Sequence, residues 1–155
     1  MKTRNIQHLP VFLATRAEVV AMVQKAVIGD DFGLLYLVVK GEDGKAGLIF
    51  RDDFDLTPDA VKIWDLHCIK SYAYGEELSI YEKKLGDTVF DRQGKELGIV
   101  SDFILSPAEK QVQGLEISSG TINDILKGRM ELSLQEVSWK SVKGGVLAGE
   151  GSQEE

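Results

Sequence analysis

The 155-residue sequence predicts a mainly β fold built of two tandem small β-barrels with short helical turns. Three observations point there. Short runs alternate apolar and polar residues, as strands with one buried face do. Glycine, proline and acidic residues break those runs at intervals that suit hairpins. The order of runs and breaks then occurs twice.

The repetition is visible in aligned segments. Glu18–Val23 set against Lys95–Val100 places Val20 on Leu97, Met22 on Ile99 and Val23 on Val100, 77 positions apart. LTPDAV (Leu56–Val61) matches LSLQEV (Leu132–Val137) 76 positions on. Leu9–Phe12 resembles Asp87–Phe90, and Asp31–Val39 stands where Glu109–Ser118 stands in the second copy. A repeated supersecondary unit governs the whole fold, so it is read first.

Each copy starts with a short strand, Val11–Leu13 or Thr88–Phe90. In the second copy the turn DRQGKE follows, where Gly94 can take the positive φ that hairpins favour. The first copy has ATRAE there, without glycine, which predicts a different turn. A longer strand comes next, Val19–Ile28 or Glu96–Ser106, and the phase of alternation changes at Ser101-Asp102, as at a bulge. Pro107 ends that strand, having fixed φ and no donor. The third strand is Leu34–Val39 or Val112–Ile117; LLYLVV is apolar enough to be covered on both faces. Asp43-Gly44 signals a hairpin into Lys45–Phe50. The counterpart near Ile122–Leu126 reads as a loop or one helical turn. Thr57 before Pro58, and Ser133 three residues before Glu136, mark helix starts; the second has the spacing of a capping box. One or two turns ending at Val61 and Val137 would lead into last strands at Lys62–Tyr72 and Val142–Leu147. These elements divide the chain into a first barrel over 1–74, a packed linker over 75–84, a second barrel over 85–149 and a disordered tail over 150–155.

Composition narrows the function. Lys plus Arg number 18 against 25 Asp plus Glu, a net charge of −7. That sign repels phosphate backbones and makes direct nucleic-acid binding unlikely; Lys83-Lys84 and Lys140/Lys143 are the only local basic hints. Charges and a proline interrupt the N-terminal apolar residues, so no secretory signal is read, and no run is long enough to span a membrane. One cysteine, Cys68, excludes an intrachain disulfide. The expectation is a cytoplasmic protein with no membrane insertion.

LGDTVFDRQGKELGIVSDFILSPAEKQVQGLEI, Leu85–Ile117, resembles the opening of the PRC-barrel family. The family pattern maps onto Gly86 and Val89, Gly94 and Gly98, Val100 and Asp102, and Gly114-Leu115. The first copy is degenerate, with Val20, Lys25 and Leu37 where Gly, Asp and Gly are expected. The resemblance extends to the cytoplasmic domain of the photosynthetic reaction-centre H subunit and to the C-terminal domain of the ribosome-maturation factor RimM. It is closest to stand-alone proteins with tandem PRC-barrels. It implies a protein-binding or assembly module without catalysis. Asp102, at the strand bend, is read as an acceptor of backbone hydrogen bonds rather than a ligand.

No other residues form a recognisable constellation, and no catalytic, cofactor-binding or metal-ligating residue is assigned. Asp65 and His67 could share one face of a strand while Cys68 points away, leaving His8 to supply a third metal ligand from a distance. Cys68 reads as a small buried apolar residue, not a nucleophile. DDFDLTPD (Asp52–Asp59) fails as an EF-hand loop, because Pro58 and Trp64 stand where Gly and Glu are required. GEDGKAG (Gly41–Gly47) lacks a phosphate-loop pattern, and Ser118-Ser119-Gly120 is no nucleophile elbow. Tyr72, Tyr74 and Tyr81 cluster around the linker, as core between barrels or as a partner-binding patch.

These features favour a non-enzymatic interaction or assembly module, with an unidentified protein partner and a homodimer as the expected state. The alternatives are a ribosome- or RNA-associated accessory factor and a small-ligand binder with a site between barrels.

Overall fold

The structure, a computed structural model, describes residues 1–72, 79–139 and 146–148. The chain divides into two compact units: unit 1 is Met1–Ile80 with Leu105–Val112, and unit 2 is Tyr81–Ile104 with Gln113–Glu155.

Unit 1 holds strands β1 (Pro10–Leu13), β2 (Glu18–Ile28), β3 (Leu34–Gly41), β4 (Ala46–Phe50), β5 (Asp55–Leu56), β6 (Val61–Ile63) and β7 (Lys70–Ser71). They form one sheet in the order β5-β6-β1-β2-β3-β4-β7. Neighbours run antiparallel except β1 and β6, which pair parallel from Val11↔Val61 to Leu13↔Ile63. Ile6, Val11, Val23, Leu37, Ile49 and Ile63 are fully buried. Each such side chain stabilises by about 1.5–3 kcal/mol relative to exposure. Leu37, Val38 and Val39 are consecutive and all buried, so the middle of LLYLVV is covered on both faces.

The remaining elements are helix α1 (Ile80–Lys84), strands β8 (Thr88–Phe90), β9 (Glu96–Ser106) and β10 (Gln111–Ser118), helix α2 (Thr121–Lys127), and strands β11 (Met130–Ser133), β12 (Val137–Trp139) and β13 (Val146–Ala148). Their sheet runs β11-β10-β9-β8-β13-β12, again with one parallel pair, β8 with β13. Val89, Val100, Phe103, Leu115 and Ile117 form the centre of unit 2.

Among the described residues neither sheet closes, which corrects the expectation of two barrels. A barrel needs its terminal strands to share a ladder. The first sheet stops at the two-residue strands β5 and β7, and the second, an open half-barrel, stops at β11 and β12.

The two strand orders coincide once β7 is set aside. Both β1–β2 and β8–β9 carry a bulge, and the residue passed over is Val20 in one and Leu97 in the other. Ala21, rather than Val20, therefore occupies the place of Gly98. Left-handed backbone recurs at matching positions: His8 (φ 76) with Gly86 (φ 88), Ala17 (φ 54) with Gly94 (φ 85), and Phe32 (φ 67) with Lys110 (φ 54). The hydrogen bond from His8 N to Val23 O (2.9 Å) has its counterpart from Gly86 N to Val100 O (2.8 Å). The turn expected to differ for want of glycine thus uses Ala17 in the conformation that Gly94 adopts.

Other expectations need correction. No helical turn follows Thr57; its Oγ1 accepts from Asp59 N (3.2 Å) and Ala60 N (3.1 Å) and closes a tight turn. The strand expected over Lys62–Tyr72 is interrupted, because the Asp65 carboxylate accepts from His67 N (2.9 Å) and caps a 3-10 turn over Leu66–Cys68. Ile122–Leu126 lies in α2, and the strand matching β4 is β11. At Ser133 the capping box is present, over a 3-10 turn at Leu134–Glu136. Residues 73–78, which hold the end of the expected first barrel and the start of the expected 75–84 linker, the start of the strand expected at Val142–Leu147 and the tail from 150 lie outside the described residues.

Candidate interaction surface

Unit 2 carries a charge network at α2 that is rooted on one buried carboxylate. Glu116 on β10 is 1% exposed. Its Oε1 accepts from Ser101 Oγ (2.7 Å) and from Arg129 Nη1 (3.0 Å). Arg129 Nε reaches on to Asp124 Oδ2 (3.2 Å), which also accepts from Ser118 Oγ (2.7 Å), while Ser119 N donates to Asp124 Oδ1 (3.2 Å). The Ser118 hydrogen bond leads the causes that hold the Asp124 carboxyl below its ordinary value, and the hydrogen bond to Glu116 leads those that raise Arg129. A buried carboxylate is tolerated only when paired in this way.

The network explains how α2 is presented. Asp124 ties the helix to the end of β10 by its polar side. Ile125 and Leu126 are then left 77% and 74% exposed, and Met130, at the start of β11, 41% exposed. Two adjacent large aliphatic side chains are thus exposed beside a satisfied polar anchor.

A second feature lies within unit 1: an open cleft of about 630 Å³ lined by Val20, Val39 and Ile69 and by exposed Glu18, Asp43 and Lys45. Glu18 is ion-paired to Arg16 (2.9 Å), and Asp43 Oδ1 accepts from Lys45 N (2.9 Å).

The residues singled out in the sequence fall elsewhere. His67 Nδ1 lies 3.0 Å from Asp65 Oδ1 on an exposed turn; the hydrogen bond from His67 N is the leading cause lowering the Asp65 carboxyl. His8 is exposed on its own turn. Cys68 is half-exposed rather than buried, and desolvation is the leading cause raising its thiol. Asp52 and Asp53 sit on a 3-10 turn at Arg51–Asp53, Asp55 on β5 and Asp59 on the Thr57 turn. Among the described residues no three His, Cys, Asp or Glu converge to hold a metal ion. Gly41–Gly47 is a hairpin connection, closed by Gly41 N to Lys45 O (3.0 Å). Lys84 lies 3.7 Å from Asp87 Oδ2, whose carboxyl burial pushes up; Lys140 and Lys143 are outside the described residues.

Tyr81 belongs to the interior of unit 2: its hydroxyl donates to Asp102 Oδ1 (2.8 Å) and its ring meets Phe103 edge-on at 5.1 Å. Asp102 is fully buried and also accepts from Phe103 N (2.8 Å), a structural place for that carboxylate. Tyr72 is half-buried and Tyr74 is not described. The α2 surface was missed in the sequence, although the signal was there: an Ile-Leu pair beside Asp124, between Gly120 and Gly128, in a segment too short for periodicity to orient it.

The second half of the chain thus defines an antiparallel-rich β domain with one parallel strand pair and a polar-anchored helix. Residues 80–146 match the model of the PRC-barrel domain family, and a PRC-barrel domain is present there. The match is to the segment that forms the open half-barrel sheet, so the domain is a barrel by family and an open sheet in its described strands. No curated protein matches the chain. Among the described residues, no helix is long and apolar enough to cross a membrane.

Proposed function

We propose that this chain is a non-catalytic protein-interaction module whose working surface is the outer side of α2 with Met130. The observation that carries the reading is the exposed aliphatic pair on α2: the Asp124 side chain is engaged by Ser118 and Arg129 while Ile125 and Leu126 stand in solvent. The matched left-handed positions and bulges support a second element of the reading, that the two halves are duplicated copies of one PRC-like unit. In that reading the first copy is the degenerate one, and the partner surface belongs to the second. The module works in the cytoplasm, where a lone half-exposed thiol such as Cys68 stays reduced.

The test is retention of proteins from native lysate by immobilised chain, comparing the unaltered protein with Ile125→Ser/Leu126→Ser. The expected result is a reproducible set of proteins lost from the variant alone. An identical set on both would rule the surface out. RNA recovered in steeply salt-dependent fashion would instead favour the accessory-factor reading, against the charge of −7.

A further inference from the structure

Two hairpin tips meet inside unit 1. One is formed by residues 28–34, between β2 and β3, and the other by residues 106–112, between β9 and β10; both belong to that unit. Gly33 and Gln111 form an antiparallel bridge. It is closed by Leu34 N donating to Lys110 O and Val112 N donating to Phe32 O, both at 2.9 Å. The register of the bridge follows the repeat. Phe32, Gly33 and Leu34 stand 78 positions before Lys110, Gln111 and Val112. The two acceptors, Phe32 and Lys110, are the matched left-handed residues (φ 67 and φ 54). The match continues along the strands that follow: Leu34, Leu37, Val38 and Val39 are buried with Leu35 exposed, and Val112, Leu115, Glu116 and Ile117 are buried with Gln113 exposed.

Exchanging every residue for its equivalent therefore turns one hydrogen bond of the bridge into the other. Any antiparallel bridge has a local two-fold axis, but only a bridge in this one register carries each tip onto its own equivalent. Reciprocal contact of that kind is isologous, the form that two copies of one structure make with each other. We infer that the hairpin tip of the repeat is a self-recognition surface, and that the first copy serves the second as a built-in partner there. This rests on the reading above that the two halves are duplicated copies. The pairing expected of two chains is, at this contact, made within one.

Side chains beside the bridge keep the same pattern with different residues. The equivalent carbonyls of Asp31 and Glu109 each accept one side-chain N–H, from Gln111 Nε2 (3.0 Å) and from Arg51 Nη2 (2.9 Å). Lys110 Nζ breaks the symmetry: it donates to the carbonyls of Arg51 and Phe54, and Phe32 has no donor with which to return such a contact. That difference favours the chain's own tip over the tip of a second chain. It also gives the first copy a role independent of the glycine pattern it lacks, since the bridge depends only on the backbone of residues 32–34.

The contact is tested in the full chain carrying Cys68→Ser. Gly33→Cys/Gln111→Cys sets two cysteines at a non-hydrogen-bonded antiparallel pair, within reach of a disulfide. The expected result on oxidation is a disulfide inside one chain. No disulfide, or one between chains, overturns the built-in partner. Equivalence is tested by making the tips alike. Lys110→Phe/Gln111→Gly gives both tips the residues of the first, and Phe32→Lys/Gly33→Gln gives both those of the second. A Cβ at Gly33 would meet only side-chain ends, of Arg51, Gln111 and Asp31 at 3.0, 3.2 and 3.3 Å, so the second exchange has room once these shift. Slow amide exchange at Leu34 and Val112 should persist in at least one of the two chains. Its loss from both, or failure of both to fold, overturns the isologous contact. Ala17→Gly separates that failure from failure of the duplication, because it moves a glycine of the second copy to the matching turn of the first, away from the bridge. A stable Ala17→Gly chain with the bridge lost from both exchanges leaves the duplication standing, and a destabilised one removes both.

Discussion

Lys110 Nζ stands 4.7 Å above the ring centre of Phe54, and it donates to the backbone carbonyls of Arg51 (2.8 Å) and Phe54. Around it, Leu34 N donates to Lys110 O and Val112 N to Phe32 O, both at 2.9 Å, and Arg51 Nη2 donates to Glu109 O (2.9 Å). The tip of the β9–β10 hairpin is thus a structural part of unit 1, with a cation at its centre held by dipoles and a ring rather than a carboxylate.

Lys110→Ala should destabilise the protein by roughly 2–3 kcal/mol, from the lost charged hydrogen bonds and the cation–π contact. Lys110→Gly should cost about 1 kcal/mol less, because it relieves the left-handed φ of 54°. Urea unfolding midpoints of the two variants check the order; equal losses would mean that the backbone carries no strain there.

Unit 1 should not fold from its contiguous sequence alone. A fragment of residues 1–80 lacks Leu105–Val112, which belong to the unit. It should show the poor amide dispersion of an unfolded chain by NMR. A dispersed spectrum would mean that the hairpin tip is dispensable.

The turn at Ala17 offers a gain. Ala17 has φ 54, where alanine is strained by about 1–2 kcal/mol, and its counterpart is Gly94. Ala17→Gly should therefore stabilise by up to about 1 kcal/mol once the greater freedom of unfolded glycine is subtracted. Thermal unfolding reads the sign directly.

Gly98 should be the least replaceable residue of the second sheet. A Cβ there would lie 2.3 Å from Ser118 O, on backbone at φ 147. Gly98→Ala should cost about 3 kcal/mol or more, as overpacking against backbone does. Gly94→Ala, with open space around it, should cost only about 1 kcal/mol.

Acid sensitivity should trace to Asp124. Its folded carboxyl titrates below the ordinary carboxylate value, so the unfolded state binds the proton more readily. The stabilisation is present above the unfolded value and is lost as pH falls below about 4 and through the folded one. Asp124→Ala should lower stability at pH 7 and flatten its fall between pH 5 and about pH 2. Asp87 has the opposite sign: burial raises its carboxyl by more than Lys84, 3.7 Å from its Oδ2, lowers it. Asp87→Asn should leave neutral-pH stability unchanged or higher.

Much of the β framework was legible because alternation and turn residues are local signals. β2, β9 and β10 fall within a residue of the expected strands and β3 runs two residues further, to Gly41, and the 77-position match of Val20 with Leu97 coincides with the bulge in each copy. Closure was not legible, since it depends on whether two remote short strands meet. Asp65 turned a strand into a 3-10 turn through one side-chain hydrogen bond that alternation does not register. The partners of Lys110 lie 56 and 59 positions away, beyond any local pattern. The α2 surface escaped because Ile125 and Leu126 are exposed, against the rule by which apolar residues are read as core.

The most direct test of that surface is the urea midpoint of Ile125→Ser/Leu126→Ser, measured at concentrations low enough to keep copies apart. With both side chains about three-quarters exposed, the midpoint should match that of the unaltered protein. A loss of the about 2–5 kcal/mol that truncating a packed aliphatic residue costs would place this face inside the fold and contradict the interaction surface.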